Sequence, residues 1–231
     1  MSILAIIPAR GGSVDLKNKN MFPLNGKPLL FYTIEAAKKT KLIDRVIVSS
    51  DSKNILNFSK KNFVETIKRP KKISGAKSKT HEAIIHCLNY LKKNENYVPD
   101  IILILQPTSP LRNSKHISSA IKIFLKDKQA TSLVSCIKVP HNFHPTSLMK
   151  ENNKGYLVDF LKERKKIYRR QDKDLLFARN GAGIYIVKHS YIKRFLFGGK
   201  IIKFLMNEDS SVDIDSLEDV KKAEIILKKI K

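Results

Sequence analysis

The sequence predicts an α/β protein built on a doubly wound, mainly parallel sheet. Three observations carry that expectation. Strand-length apolar runs alternate with amphipathic stretches of helical period along most of the chain. The runs at 4–8 and 100–105 (the latter reading DIILIL) are apolar almost throughout, as in strands covered on both faces. At 231 residues the chain is long enough for one substantial core and short for two, so 1–231 is read as a single domain.

Each element has a local justification. The first strand, 4–8, closes on Pro8. A helix is expected over 28–39, with Leu29, Leu30, Thr33, Ile34 and Ala37 on one face and Pro28 in its first turn. The strand 45–49 runs into Ser50-Asp51-Ser52, suitable caps for a helix over 53–61. Over 80–93, Ala83, Ile84, Cys87, Leu88 and Leu91 share one side of a helix. The strand 100–105 ends in Gln106-Pro107-Thr108-Ser109-Pro110-Leu111-Arg112. A helix from 114 to about 126 and a strand near 132–137 follow. Repeated βα units require right-handed crossovers. The pattern breaks over 139–177, which holds His141, His144, Gly155 and a dense charge cluster and reads as an excursion from the sheet. Strands at 182–187 and 201–206 and a helix over 216–229 complete the chain.

Charge raises the question of nucleic acid. The formal net charge is +24, and 36 of the 45 basic residues are lysine, spread as pairs such as Lys38-Lys39 and Lys221-Lys222. A specific reader of nucleic acid concentrates arginine and exposed aromatics, whereas paired lysines on helices form a solvated face. Nucleic acid is therefore not the expected partner, and an anionic small substrate is. No run approaches a membrane span, and the short apolar start lacks the charged segment and cleavage site of a signal peptide. Cys87 and Cys136 lie far apart without metal-ligand spacing and read as reduced core thiols. A cytoplasmic location is expected.

The densest chemistry follows the first strand: Ile6-Ile7-Pro8-Ala9-Arg10-Gly11-Gly12-Ser13, running on to Lys17-Asn18-Lys19-Asn20. Flexible backbone and positive charge here lie beyond the carboxyl end of a strand, where open α/β sheets bind ligands. Glycines let main-chain N–H groups approach a phosphate, and basic side chains neutralise it. For Arg112, a functional role in the 106–112 loop and the plainer reading, in which it neutralises that loop or serves the helix after it, both stand.

Taken together, IIPARGGS…KNKN, NGKPLLFYTIEAA, DRVIVSSDS, ILQPTSPLR, RRQD, RNGAGIYI and SSVDID resemble, in order and spacing, the acylneuraminate cytidylyltransferases. These are the CMP-sialic acid synthetases with their legionaminate and pseudaminate relatives and, more distantly, the CMP-Kdo synthetases. The resemblance covers nearly the whole chain. It implies a Rossmann-like nucleotidyltransferase fold, a homodimer, Mg²⁺, and a reaction joining CTP to a nine-carbon (nonulosonic) 2-keto sugar acid with release of pyrophosphate. Under it, Arg10 faces the triphosphate beside the backbone of Gly11, Gly12 and Ser13, Lys19 contacts phosphate, and Asn20 sits against the nucleotide. Pro8 and Ala9 abut the cytosine and Arg69 lies near the base. Gln106 hydrogen-bonds the sugar acid, Arg170 meets its carboxylate, Asn180 and Gly181 lie near the sugar, and 139–177 serves dimerisation and substrate binding.

Asp213 and Asp215 are the expected metal ligands, and with Arg10 and Lys19 they form the expected catalytic set. Two apart in an extended segment, they point to one side, and Mg²⁺ favours a few carboxylate oxygens completed by phosphates. The competing reading makes Asp215 or Ser216 the cap of the last helix, with Glu218 and Asp219 at its positive end.

Three departures from the family pattern leave alternatives open. Ser13-Val14-Asp15 stands where the family has Ser-Lys-Gly, with Lys17 nearby as a substitute charge. The 75–80 stretch lacks the family's aspartate, and Asn180-Gly181-Ala182-Gly183-Ile184 carries one extra small residue. A same-fold nucleotidyltransferase for another sugar acid or nucleotide, or a catalytically weakened paralogue acting as a binding subunit, fits these departures as well.

Overall fold

The structure is a computed structural model and describes residues 1–13, 16–161, 169, 171, 173–181 and 183–230. In chain order, β1 (Ile3–Pro8) leads through a small hairpin, β2 (Pro23–Leu24) and β3 (Lys27–Pro28), into α1 (Leu29–Lys38). Next come β4 (Arg45–Ser50), α2 (Lys53–Lys61), β5 (Glu65–Lys68), α3 (Thr80–Glu95), β6 (Ile101–Ile104), α4 (Ser114–Lys126) and β7 (Ser132–Lys138). A second hairpin, β8 (Met149–Glu151) and β9 (Leu157–Asp159), precedes β10 (Phe177–Arg179) and β11 (Tyr185–Lys188). The chain ends with the short α5 (His189–Ile192), β12 (Ile201–Leu205) and α6 (Leu217–Ile230).

Among the described residues, eight strands make one mainly parallel sheet in which β11, β6, β1, β4 and β5 are successive neighbours. β1 runs parallel to both β4 and β6. The chain leaves β1 toward β4 on one side and later returns to β6 on the other, so the carboxyl end of β1 is a topological switch point. Two strands depart from a purely parallel winding: β11 lies antiparallel between β6 and β7, and β10 runs antiparallel along the end of β7. Beyond β7, β12 pairs in parallel at residues that also pair with β10 and β11, so it takes the opposite edge of that strand.

The continuous apolar runs follow from burial on both faces. In β1, Ile3, Ala5 and Ile7 pack with Leu30 and Ile34 of α1 and Ile117 of α4, while Leu4 and Ile6 turn to Ile84, Cys87 and Leu91 of α3. Truncating any of these isoleucines to alanine removes about 2–5 kcal/mol. A separate cluster places Val220, Ala223 and Ile226 of α6 over Val212, Ile214, Leu24 and Leu29. Cys87 and Cys136 are both buried and free. Among the described residues, no helix is long and apolar enough to cross a membrane.

Local differences from expectation have local causes. Pro28 caps α1 from outside, with extended backbone, rather than standing in its first turn. Ser52 occupies the cap of α2 without a side-chain capping bond. The strand expected from residue 182 begins at Tyr185, because the Ile184 N–H is taken by the Ser135 hydroxyl at 2.8 Å. β5 and β10 were not expected: each is short and half-exposed or exposed, without the apolar run that marks a central strand. The excursion leaves the sheet at the end of β7 and returns at β10. Its hairpin exposes Met149, Tyr156, Leu157 and Phe160.

Candidate functional site

A cavity of about 370 Å³ opens at the carboxyl ends of β1 and β6. Pro8, Arg10, Ser13, Lys19 and Asn20 enter it from the first loop, Arg69 from the end of β5, and Gln106 from the end of β6. Asp213 and Asp215 close it from the segment before α6. Nine of the residues singled out in the sequence thus share one pocket, although the chain separates the outermost of them, Pro8 and Asp215, by more than two hundred positions. Ala76, Ser78, Thr80, Pro107 and Thr108 complete the lining.

The glycine loop is fastened from behind. The Gly11 N–H donates to Asp51 Oδ1 at 2.9 Å, and a Cβ at Gly11 would fall 2.8 Å from that of Ser52. Only glycine lets the loop pass the end of β4 so closely. Its amide is therefore committed to Asp51, an acid that sequence reading had assigned to helix capping. The signal for Asp51 was its place after a parallel strand beside the switch point. Ala9 is fully buried and donates its N–H to the Ser49 carbonyl. Neither Ala9, Gly11 nor Gly12 lines the cavity.

The basic residues are held individually. Arg10 Nη1 donates to the Gly75 carbonyl at 3.1 Å, joining the first loop to the 75–80 segment. Asn20, buried, donates from its amide to the Arg10 carbonyl at 2.8 Å. Lys19 Nζ lies 2.5 Å from Asp215 Oδ1. Arg69 is buried and donates to the Ser49 carbonyl and hydroxyl at 2.9 and 3.3 Å. Burial lowers its pKa from the ordinary arginine value.

Gln106 Nε2 reaches Thr80 Oγ1 at 3.5 Å. Behind it stands Arg112, which is 1% exposed and meets no carboxylate among the described residues. Its guanidinium donates to the Gln106 carbonyl at 3.2 Å, the Gly183 carbonyl at 2.7 Å and the Thr33 hydroxyl at 2.6 Å. Burial pulls its pKa down to about 9. Arg112 therefore binds β6, α1 and the approach to β11 together instead of neutralising a loop or serving α4.

Asp213 and Asp215 owe their direction to alternation. Val212 and Ile214 are buried under α6, which turns the intervening carboxylates to the cavity. Burial raises the pKa of Asp213; Thr108 beside it opposes that shift and Asp215 adds to it. Asp213 Oδ1 and Thr108 Oγ1 are both buried without a hydrogen bond of ordinary geometry. Of the two caps the sequence offered for α6, Ser216 serves: its N–H donates to Asp219 Oδ2 and the Asp219 N–H donates to Ser216 Oγ, at 2.8 and 3.3 Å. Asp215 is thus free of capping. An orphaned buried carboxylate oxygen, beside a second carboxylate, suits a hard divalent cation. Among the described residues no group of three or more acidic, histidine or cysteine side chains is placed to hold a metal ion, so an ion at Asp213 and Asp215 would draw its other ligands from substrate and water.

Other expected residues lie differently. Asn180 is buried outside the cavity lining, accepting from Ser135 Oγ at 2.6 Å and donating to Ser211 Oγ at 2.8 Å. Gly181 approaches Asp213 closely with φ at +65°. His144 is buried against Thr146, and with His141 and Lys173 it borders a separate cavity of about 570 Å³. Arg170, Val14 and Asp15 lie outside the described residues.

Comparison with known proteins adds four findings. Residues 4–229 match the family described as cytidylyltransferase. The chain is 32% identical over 228 residues to an N-acylneuraminate cytidylyltransferase of Escherichia coli O18:K1:H7, covering 98% of this chain and 52% of that protein. It therefore spans about half the length of that relative. It is 28% identical over 232 residues to a pseudaminic acid cytidylyltransferase of Campylobacter jejuni subsp. jejuni serotype O:23/36, covering 99% and 97%. In fold it is similar to a CMP:2-keto-3-deoxy-manno-octonic acid synthetase solved with CTP, at a TM-score of 0.72 over the full length of both chains and 14% identity.

Proposed function

The chain belongs to the cytidylyltransferase family, and from that premise we propose that it transfers CMP from CTP to a nonulosonic acid, a sialic-acid-like 2-keto sugar acid. The observation that carries this reading is the convergence of Arg10, Lys19, Gln106, Asp213 and Asp215 on one cavity at the switch point of the sheet.

In the proposed reaction the anomeric hydroxyl oxygen attacks the α-phosphorus of CTP. The bond from that phosphorus to the bridging oxygen breaks opposite, pyrophosphate leaves, and the hydroxyl proton passes to solvent. Negative charge builds on the phosphate oxygens, so the protein's task is positioning and charge compensation rather than covalent catalysis. Arg10 and Lys19 face the triphosphate, and Asn20 holds the Arg10 backbone in place. Pro8 and the buried Arg69 border the base, and Gln106 hydrogen-bonds the sugar acid. Asp213 and Asp215 hold Mg²⁺, which supplies Lewis-acid stabilisation of the triphosphate when bound.

The same reading makes the enzyme a cytoplasmic homodimer. The apolar side chains exposed on the β8–β9 hairpin support a self-association surface. Activation of the sugar as a CMP ester fits a product destined for transfer onto surface glycans or flagellin.

The test incubates purified protein with CTP, Mg²⁺ and a panel including N-acetylneuraminic, legionaminic and pseudaminic acids, following pyrophosphate release. Turnover with at least one is expected. Tight CTP binding without turnover across the panel would favour a weakened binding paralogue, and turnover only with another acid or nucleotide would redirect the substrate.

A further inference from the structure

Gly181 reaches Asp213 by a detour in the sheet. β10 pairs Arg179 with Cys136, and β11 pairs Tyr185 with Val134, so the chain spends five residues between two pairings that are separated on β7 by Ser135 alone. Extra residues of this kind re-aim a chain beside a site. Three contacts pin the detour. Arg112 Nη1 donates to the Gly183 carbonyl at 2.7 Å, the Tyr185 hydroxyl to the Gly181 carbonyl at 2.7 Å, and Ser135 Oγ to Asn180 Oδ1 at 2.6 Å. Held this way, Gly181 has φ at +65°. A Cβ built on it would lie 2.7 Å from Cγ of Asp213 and closer still to Oδ2, inside the contact distance of non-bonded atoms. The carboxylate fills the space that any other residue at this position would need.

We propose that Gly181 is a positioning residue for Asp213: its missing side chain leaves the slot that fixes the carboxylate's orientation, and Arg112, Asn180 and Tyr185 hold the detour at that distance. The role is steric, and it is separate from any contact between Gly181 and the sugar. Its consequence for the ion rests on the reading of Asp213 as a Mg²⁺ ligand given above.

Gly26 provides the control. Its φ is +79°, but a Cβ there meets nothing within 4 Å. Gly26→Ala therefore carries the backbone strain of a left-handed alanine without the clash. Melting temperatures are measured for Gly181→Ala and Gly26→Ala, each in the parent and in an Asp213→Ala background. Gly181→Ala is expected to lower the melting temperature more than Gly26→Ala in the parent, and the two deficits should become alike once the carboxylate is gone. Should Gly181→Ala fail to fold, adding Asp213→Ala is expected to restore folding. A Gly181 deficit that is unchanged by Asp213→Ala, or no such restoration, overturns the contact.

The second readout is Mn²⁺ affinity at fixed CTP without sugar acid, from the free-ion EPR signal with a nucleotide-only control. Gly181→Ala is expected to weaken binding about tenfold or more, and Gly26→Ala to leave it unchanged. Parent-like Mn²⁺ affinity in Gly181→Ala overturns the positioning role. A parent protein that binds Mn²⁺ no better than Asp213→Ala would sink the metal reading instead, while the melting comparison still decides whether Gly181 seats the carboxylate.

Discussion

Lys19 and Asp215 hold each other at 2.5 Å, the lysine largely buried and the aspartate mostly exposed. The pair joins the cation expected at the triphosphate to one of the carboxylates expected at the ion. Under the proposed function, a triphosphate at Lys19 and a metal ion at Asp215 would each compete with this existing contact. Asp215→Asn is expected to lower Mg²⁺-dependent turnover by about a hundredfold or more, the scale of losing a transition-state charge contact. It should leave the melting temperature nearly unchanged, since the carboxylate faces solvent and the asparagine oxygen still accepts from Lys19. Pyrophosphate release across a Mg²⁺ titration checks this, and parent-like rates at low Mg²⁺ would contradict it. Cys87 gives a different residue-scale prediction. Burial pushes its thiol up to about 11 from an ordinary value of 9.0. Between those values the unfolded thiol is ionised and the folded one is not, so the native state binds more protons and stability falls as pH rises. The loss across the window is on the order of 3 kcal/mol. Urea unfolding at pH 8 and 10.5 should show Cys87→Ala losing less stability over this range than the parent.

At the scale of elements, the site depends on two devices. One is the alternation Val212-Asp213-Ile214-Asp215 under α6, which needs both the apolar pair and the helix that covers it. The other is Arg112, which links β6, α1 and the detour before β11. Lysine keeps the charge but lacks the planar fork that reaches all three acceptors. Arg112→Lys is expected to cost about 1–3 kcal/mol from a buried carbonyl left unpaired. It should also raise KM for the sugar acid more than KM for CTP, because Gln106 follows the carbonyl that Arg112 anchors. Unchanged or equally raised KM values for the two substrates, with a lower melting temperature, would reduce Arg112 to a core residue. Most elements were legible from periodicity: α2, α4 and the apolar strands other than β11 stand within a residue or two of expectation. β5 and β10 were not, because short strands with exposed positions acquire their identity from neighbours rather than from a pattern of their own.

For the whole molecule, the question is where the charge and the exposed apolar surface go. A net charge of +24 attracts polyanionic substrates over long range and resists compaction and self-association alike. The β8–β9 hairpin nevertheless exposes Met149, Tyr156 and Leu157 together, and under the proposed function this face meets a second copy. Leu157→Glu combined with Met149→Glu is expected to convert a dimer to a monomer in sedimentation analysis, with little change in unfolding of the sheet domain. A monomeric parent, or a dimer indifferent to both substitutions, would remove the hairpin from the interface.

The sequence by itself determined the layering of the sheet, the two-faced burial of its central strands, and the residue types that gather at the carboxyl end of β1. These follow from local order: alternation, helical period, and a loop's place after a strand. The tertiary structure decided what each of those residues does there. Asp51 takes a loop amide, Arg112 turns inward to carbonyls from distant segments, Asn180 is spent on Ser135 and Ser211, and Gly181 makes room for Asp213. Lys19 and Asp215 stand 196 positions apart, and Arg112 and Gly183 stand 71 apart. No local periodicity encodes contacts across such separations; they exist only once β11 is laid antiparallel against β6 and α6 closes over the segment before it.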